Sequence, residues 1–207
     1  MRIWSQSVIV LVFLLGIAAP ARAADPAAEQ VQSFYNTLLD TMKRGPELGM
    51  EGRYHALEPA VDATFDLSAM MQFIVGPGWP ALSTHDKSAL VAAFRRMTLA
   101  SYAANFAKYS GEKFNVDPNV QQRGVDKLVQ TTLVPVGDKP VPFIYRMRDN
   151  SGSWKVIDVF LNGYVSELAT RRSDFAGTLA SGGPAALVAK MDQLLNGLLN
   201  GTAKAGQ

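Results

Sequence analysis

Along the chain the apolar positions fall first at helical spacing, then in alternation, then at helical spacing again. Val31, Phe34, Tyr35, Leu38, Leu39 and Met42 recur at intervals of three and four, which predicts an amphipathic helix from Asp25 to Lys43. Asp25 followed by Pro26 is its N-terminal stop, and Arg44-Gly45-Pro46 ends it. A second helix is predicted from Glu51 to Ala63, and a short one from Leu67 to Val75 with Asp66 as its cap. Gly76-Pro77-Gly78-Trp79-Pro80 reads as a turn that holds a tryptophan between prolines. Ser83 and Asp86 then open the longest helix, expected to run to about Tyr109 with Leu90, Phe94, Met97, Ser101, Tyr102, Phe106 and Tyr109 as its buried stripe.

Four strands follow at Lys113 to Val116, Leu128 to Val134, Val141 to Arg148 and Trp154 to Leu161. Their short Pro, Gly and Asp connections imply antiparallel neighbours. The last two flank Asp149-Asn150-Ser151-Gly152-Ser153 and form a predicted hairpin in the middle of the sheet. By strict alternation Phe143, Tyr145 and Met147 share a face opposite Arg146 and Arg148. In the second strand Trp154, Val156, Asp158 and Phe160 fall on one face, and Ile157, Val159 and Leu161 on the other. Asp158 is an acid within an apolar strand and needs a partner, a buried N–H or an arginine. Beyond Gly163 the pattern predicts a helix from Val165 to Leu179, then a second after Gly182-Gly183-Pro184 carrying Leu187, Met191, Leu194, Leu195 and Leu198. The whole spells one α+β domain, a curved four-stranded antiparallel sheet packed on helices that precede and follow it.

Composition changes this picture in two places. Arg2, the apolar run from Val8 to Ala19 and Ala21-Arg22-Ala23 have the form of a cleaved export signal over residues 1–23. The expected domain then spans residues 24–200, with residues 201–207 a disordered tail. Removal of Arg2 and Arg22 would balance the 20 basic residues against the 18 acidic ones, which argues against nucleic acid as a partner. Export without any cysteine fits a bacterial periplasm.

Catalytic chemistry is thin. Only His55 and His85 occur, and no nucleophile elbow, phosphate loop, dinucleotide fingerprint or zinc spacing is present, so no catalytic residue, metal or cofactor is expected. What remains is an excess of large apolar side chains able to line a cavity, and two arginine pairs, Arg146 with Arg148 and Arg171 with Arg172. Arginine forks suit phosphate or carboxylate, and equally a solvated surface.

The ordered series Phe65-Asp66, Trp79, Ala92-Ala93-Phe94-Arg95, Tyr109-Ser110-Gly111-Glu112, Tyr145-Arg146-Met147-Arg148, Trp154-Lys155-Val156-Ile157-Asp158-Val159, Gly163, Ser166 and Arg172-Ser173-Asp174-Phe175-Ala176 resembles the MlaC, or toluene-tolerance, family of periplasmic phospholipid-binding proteins. Val75-Gly76-Pro77-Gly78-Trp79, Leu168 to Phe175 and Thr178 to Gly183 are similar to the hopanoid-associated HpnM-type branch. The chain departs from the general pattern at Thr170-Arg171-Arg172 and at Tyr164 after Gly163. The resemblance implies a monomeric carrier of a phospholipid or hopanoid-type lipid, serving outer-membrane lipid asymmetry. It would pass cargo between an outer-membrane lipoprotein complex and an inner-membrane ABC-type transporter complex.

On that reading Phe73, Trp79, Phe94, Met97, Leu133, Phe143, Tyr145, Val156 and Phe160 line the cavity, with Arg146, Arg148, Tyr164, Arg171 and Arg172 at the headgroup mouth. A second reading is a small isomerase or hydrolase acting on a lipid or hopanoid intermediate, with Asp158 as general base and Tyr145 or Tyr109 as donor. It requires Asp158 open to the cavity, whereas a carrier requires Asp158 satisfied behind the wall. A third is a scaffold with a packed interior and an exposed apolar patch.

Overall fold

The computed structural model describes residues 24–202; the expected export signal and most of the expected tail lie outside them. Helices α1 (Pro26–Lys43), α2 (Gly45–Thr64), α3 (Leu67–Val75) and α4 (Thr84–Asn105) come first, with a 3-10 turn at Gly76–Ala81. Strands β1 (Lys113–Val116), β2 (Gln121–Arg123), β3 (Asp126–Val134), β4 (Val141–Asn150), β5 (Ser153–Leu161) and β6 (Val165–Ser166) follow, then α5 (Glu167–Leu199). The sheet is antiparallel in the order β1-β3-β4-β5-β6, with β2 also paired to β3.

The sheet has six strands rather than four. Gln121-Gln122-Arg123 and Val165-Ser166 are too short and too polar to show alternation, and they become strands only because a neighbour offers its backbone. Residues Asn150 and Ser153 pair, so the β4–β5 turn is the two-residue loop Ser151-Gly152. Both turn residues have positive φ (56° and 89°), the twist a tight hairpin demands.

Helix bounds move for local reasons. α2 starts at Gly45, where an added Cβ would strike the Ala107 carbonyl. It kinks at Gly49 (φ 62°, ψ −171°), just before the expected start at Glu51. α5 is one 33-residue element broken in direction at Gly183 (φ 67°, ψ −164°). That backbone region is open essentially to glycine alone. α4 stops at Asn105, short of Tyr109.

The helices pack on one face of the sheet. Phe34, Tyr35 and Leu38 of α1, Leu57 and Val61 of α2, Met71 of α3 and Leu90 of α4 are buried against Val129, Tyr145, Met147 and Val156. Phe65, between α2 and α3, bridges β5 at Val156, and the Asp66 N–H donates to the Val156 carbonyl at 2.9 Å. Lys155 closes the C-terminus of α2 by donating to the carbonyls of Asp62 (3.0 Å) and Ala63 (2.5 Å).

Two buried acids fasten the other face. Asp158 is 7 % exposed, and its carboxylate accepts from the N–H groups of Val159 (2.8 Å) and Leu168 (3.2 Å) and from the Ser166 hydroxyl (2.7 Å). Ser166 in turn accepts from the Ala169 N–H, so strand acid and helix cap together satisfy the first turn of α5. These three donors, two backbone N–H groups and a hydroxyl, take the place of the arginine that the sequence also allowed. Asp126, 1 % exposed, accepts from Arg148 Nε (2.6 Å) and Arg146 Nε (2.7 Å). Hydrogen bonding from Arg148, with that from Arg146, outweighs desolvation and holds the Asp126 carboxyl below its usual pKa.

Replacing Asp158 with Ala should lower unfolding stability by about 1–3 kcal/mol, read by urea denaturation, because buried donors lose their acceptor. For Asp126 the folded pKa is depressed, so its stabilisation is present above the unfolded pKa and fades as pH falls through the folded one. Asp126→Asn should therefore cost about 1–3 kcal/mol at neutral pH. The gap between its stability curve and the wild type should persist down to the ordinary carboxylate range and close only as pH falls below it, through the depressed folded pKa; parallel curves would contradict the clamp.

Candidate functional site

Between the helices and the sheet lies an apolar wall with a polar knot. Phe94 and Met97 of α4 and Tyr145 and Val156 of the hairpin are buried in it, and Leu133 and Phe143 pack half-buried against it. The Tyr35 ring stacks on Phe114 at 4.4 Å and meets Tyr145 edge-on at 5.7 Å. Phe34 meets Phe65 and Tyr102 edge-on at 5.3 and 5.1 Å. The Tyr35 hydroxyl lies 2.7 Å from the Thr131 hydroxyl and donates to the Tyr145 hydroxyl at 3.0 Å; Tyr102 also bonds to Tyr145. Burial pushes the Tyr35 phenol up to about 12 and raises those of Tyr102 and Tyr145 as well, so the knot is neutral. Among the described residues no buried side-chain polar atom lacks a partner.

A pocket of about 310 Å³, at the low end of what a small ligand needs, opens chiefly on the sheet's other face, where Asn115, Gln130, Thr132, Pro142 and Ile144 pair on the side away from Tyr145. Asn115, Gln130, Thr132, Phe143 and Ile144 line it, with Gly163 of the turn after β5. Thr131 borders it too, but its hydroxyl turns to Tyr35 on the helix side, so the strand separates the pocket from the hydroxyl knot. Tyr35, Phe114 and Thr131 were absent from the wall expected on sequence. Tyr35 stands in the α1 stripe, but its alignment with Thr131 across 96 residues leaves no local mark.

Phe160 goes elsewhere. Arg146 pairs with Asp158 but Met147 pairs with Val156, so Ile157 is an extra residue in β5, a β-bulge. Residues directly opposite in an antiparallel pair point to the same side. Val156 (opposite Met147) and Val159 (opposite Tyr145) therefore share the helix-facing side, while Asp158 and Phe160 lie on the other with Arg146 and Ile144. The expected grouping of Val156 with Phe160 is corrected accordingly.

Phe73, expected to face inward, is 45 % exposed because Met70, Met71 and Ile74 take the buried side of α3. Trp79 is half-buried. The four arginines of the expected mouth are dispersed. Arg146 and Arg148 hold Asp126, Arg171 lies 4.0 Å from Asp174, and the Arg172 guanidinium lies over the Phe73 ring at 5.3 Å. Tyr164 adjoins the pocket residue Gly163 and is 78 % exposed.

Acid–base chemistry at Asp158 finds no support in this geometry. Its two oxygens are engaged by three donors, and Tyr109 lies at the surface under the Lys43 ammonium at 5.4 Å. Among the described residues no group of three His, Cys, Asp or Glu side chains is placed to hold a metal ion, and no helix is long and apolar enough to cross a membrane.

Against known proteins, the fold matches the structure of a phospholipid-binding protein from Ralstonia solanacearum, solved in complex with a phospholipid. The TM-score is 0.73 at 21 % identity, over 83 % of this chain and 98 % of that one. The family described as MlaC protein matches residues 32–193. With its antiparallel sheet, its helical cover and a match over most of its length, this chain belongs to the MlaC family.

Proposed function

We propose that the protein is a periplasmic carrier that binds a phospholipid with its acyl chains between helices and sheet. The observation that carries this reading is the wall itself: a contiguous apolar interior between helices and sheet, with its polar groups satisfied. An acyl chain gains about 0.8 kcal/mol per buried CH₂ and needs a dry surface and no catalytic group. Family membership and a structural neighbour that holds a phospholipid support the same reading. Binding on this reading requires the helices to part from the sheet along Phe94, Met97, Leu133, Phe143, Tyr145 and Val156. The headgroup would rest at the rim near Gly163 and Tyr164. On this reading the protein is a carrier rather than an enzyme, works as a monomer, and exchanges cargo with membrane-bound transport complexes on either side of the periplasm.

Mass spectrometry of the organic extract from protein purified out of the periplasm without detergent tests this directly. Stoichiometric phospholipid is expected, and a hopanoid in its place would assign the cargo to the hopanoid-associated branch. An extract free of lipid, even after incubation with membranes, would overturn the carrier reading. Phe143→Asp should reduce bound lipid roughly tenfold, the equivalent of leaving about two CH₂ groups unburied, with the melting temperature measured alongside to confirm folding.

A further inference from the structure

The stretch from Leu67 through Thr84 carries no charged residue. Its inner side is core, with Met70, Met71 and Ile74 buried, yet much of the rest faces water. Phe73, Pro77, Gly78, Pro80 and Ala81 are exposed and Trp79 is half-exposed. Singly exposed apolar residues need no explanation, but a contiguous run does.

Two cations border this run, each laid on one of its aromatic rings. Arg172 of α5 sits over Phe73, its guanidinium carbon 5.3 Å from the ring centroid. A Cβ at Gly76 would come within 2.7 Å of an Arg172 terminal nitrogen, so the glycine lets the guanidinium lie flat against the turn. Lys87 of α4 sits over Trp79 at 5.9 Å and donates to the Pro80 carbonyl at 3.2 Å. Among the described residues neither cation has a carboxylate partner. The acids nearest in sequence are otherwise engaged: Asp86 accepts from the Ser83 hydroxyl at 2.7 Å, and Asp174 faces Arg171. Phe73, Arg172, the Gly76–Ala81 turn, Trp79 and Lys87 are thus linked by contact into one surface.

From this we infer that the surface formed by α3, the 3-10 turn and Arg172 of α5 docks on the anionic headgroup layer of a phospholipid bilayer. A tryptophan such as Trp79 settles at headgroup depth, an exposed phenylalanine beside it adds apolar area, and Arg and Lys without a carboxylate partner are drawn to anionic lipid. An acidic protein would match the cations but would leave the Phe73–Pro77–Trp79–Pro80 run without a role. The inference goes beyond cargo binding, since the surface is formed by residues other than those lining the pocket. It would bring the carrier to a membrane surface before any lipid moves.

Co-sedimentation of the purified protein with vesicles tests it, using phosphatidylcholine alone and phosphatidylcholine with phosphatidylglycerol in equal parts. The protein should pellet with the mixed vesicles and far less with the neutral ones, and added salt should release it. Arg172→Gln and Lys87→Gln should each weaken binding roughly fivefold, and the double variant roughly 25-fold. Arg172→Lys, which keeps the charge, should bind nearly as the wild type does. Lys87→Gln should retain its melting temperature and its bound lipid. Equal pelleting with both vesicle types, no pelleting with either, or wild-type binding by the double variant would overturn the inference. Loss of carried lipid with vesicle binding intact would count against the carrier reading alone.

Discussion

One extra residue in β5 governs how the two layers of this protein meet. The bulge at Ile157 turns Val156 and Val159 to the same side of the sheet, so the strand presents two β-branched residues to the helices within a single turn of the pleat. It also sends Asp158 to the far side, where the chain returns as β6 and starts α5. An unbulged strand would put Val156 and Val159 on opposite sides of the sheet. The bridge from Phe65 to Val156 fixes the α2–α3 corner at this same irregularity.

Charged side chains in this fold act chiefly as fasteners. Arg53 is buried and donates to the Ala103 carbonyl at 2.8 Å and the Gly45 carbonyl at 3.1 Å, tying the start of α2 to the end of α4. Arg95 spans Glu58 and Asp62, and Arg146 with Arg148 encloses Asp126. Bidentate geometry makes such forks directional as well as attractive. Arg172, with an aromatic ring as its neighbour in place of a carboxylate, is the contrast that gives its surface a different character.

The hydroxyl knot of Tyr35, Thr131, Tyr145 and Tyr102 has a related consequence for a lipid carrier. It places polar atoms deep in an apolar layer, yet each bonds to another, so the wall stays effectively dry. A wall of this kind holds chains by area and imposes little direction on them. On the proposed carrier reading, selectivity would be left to the rim, where Gly163 and the exposed Tyr164 meet solvent.

The α1 stripe, the caps at Asp25, Asp66 and Ser83, the β4–β5 hairpin and the α+β order were legible in the sequence, because each depends on periodicity or on residues a few positions apart. The burial of Phe94, Met97, Tyr145 and Val156 was legible for the same reason. Phe160 was not, since a bulge shifts register without altering composition, and only pairing with β4 reveals which residue is extra. The strands β2 and β6 exist through their partners' backbones alone. The arginines carry identical side chains in every role; whether one clamps Asp126 or lies on Phe73 depends on which groups the fold brings within a few ångströms. Local order was thus written in the sequence, and the assignment of faces and charges was decided by contacts between residues far apart in it.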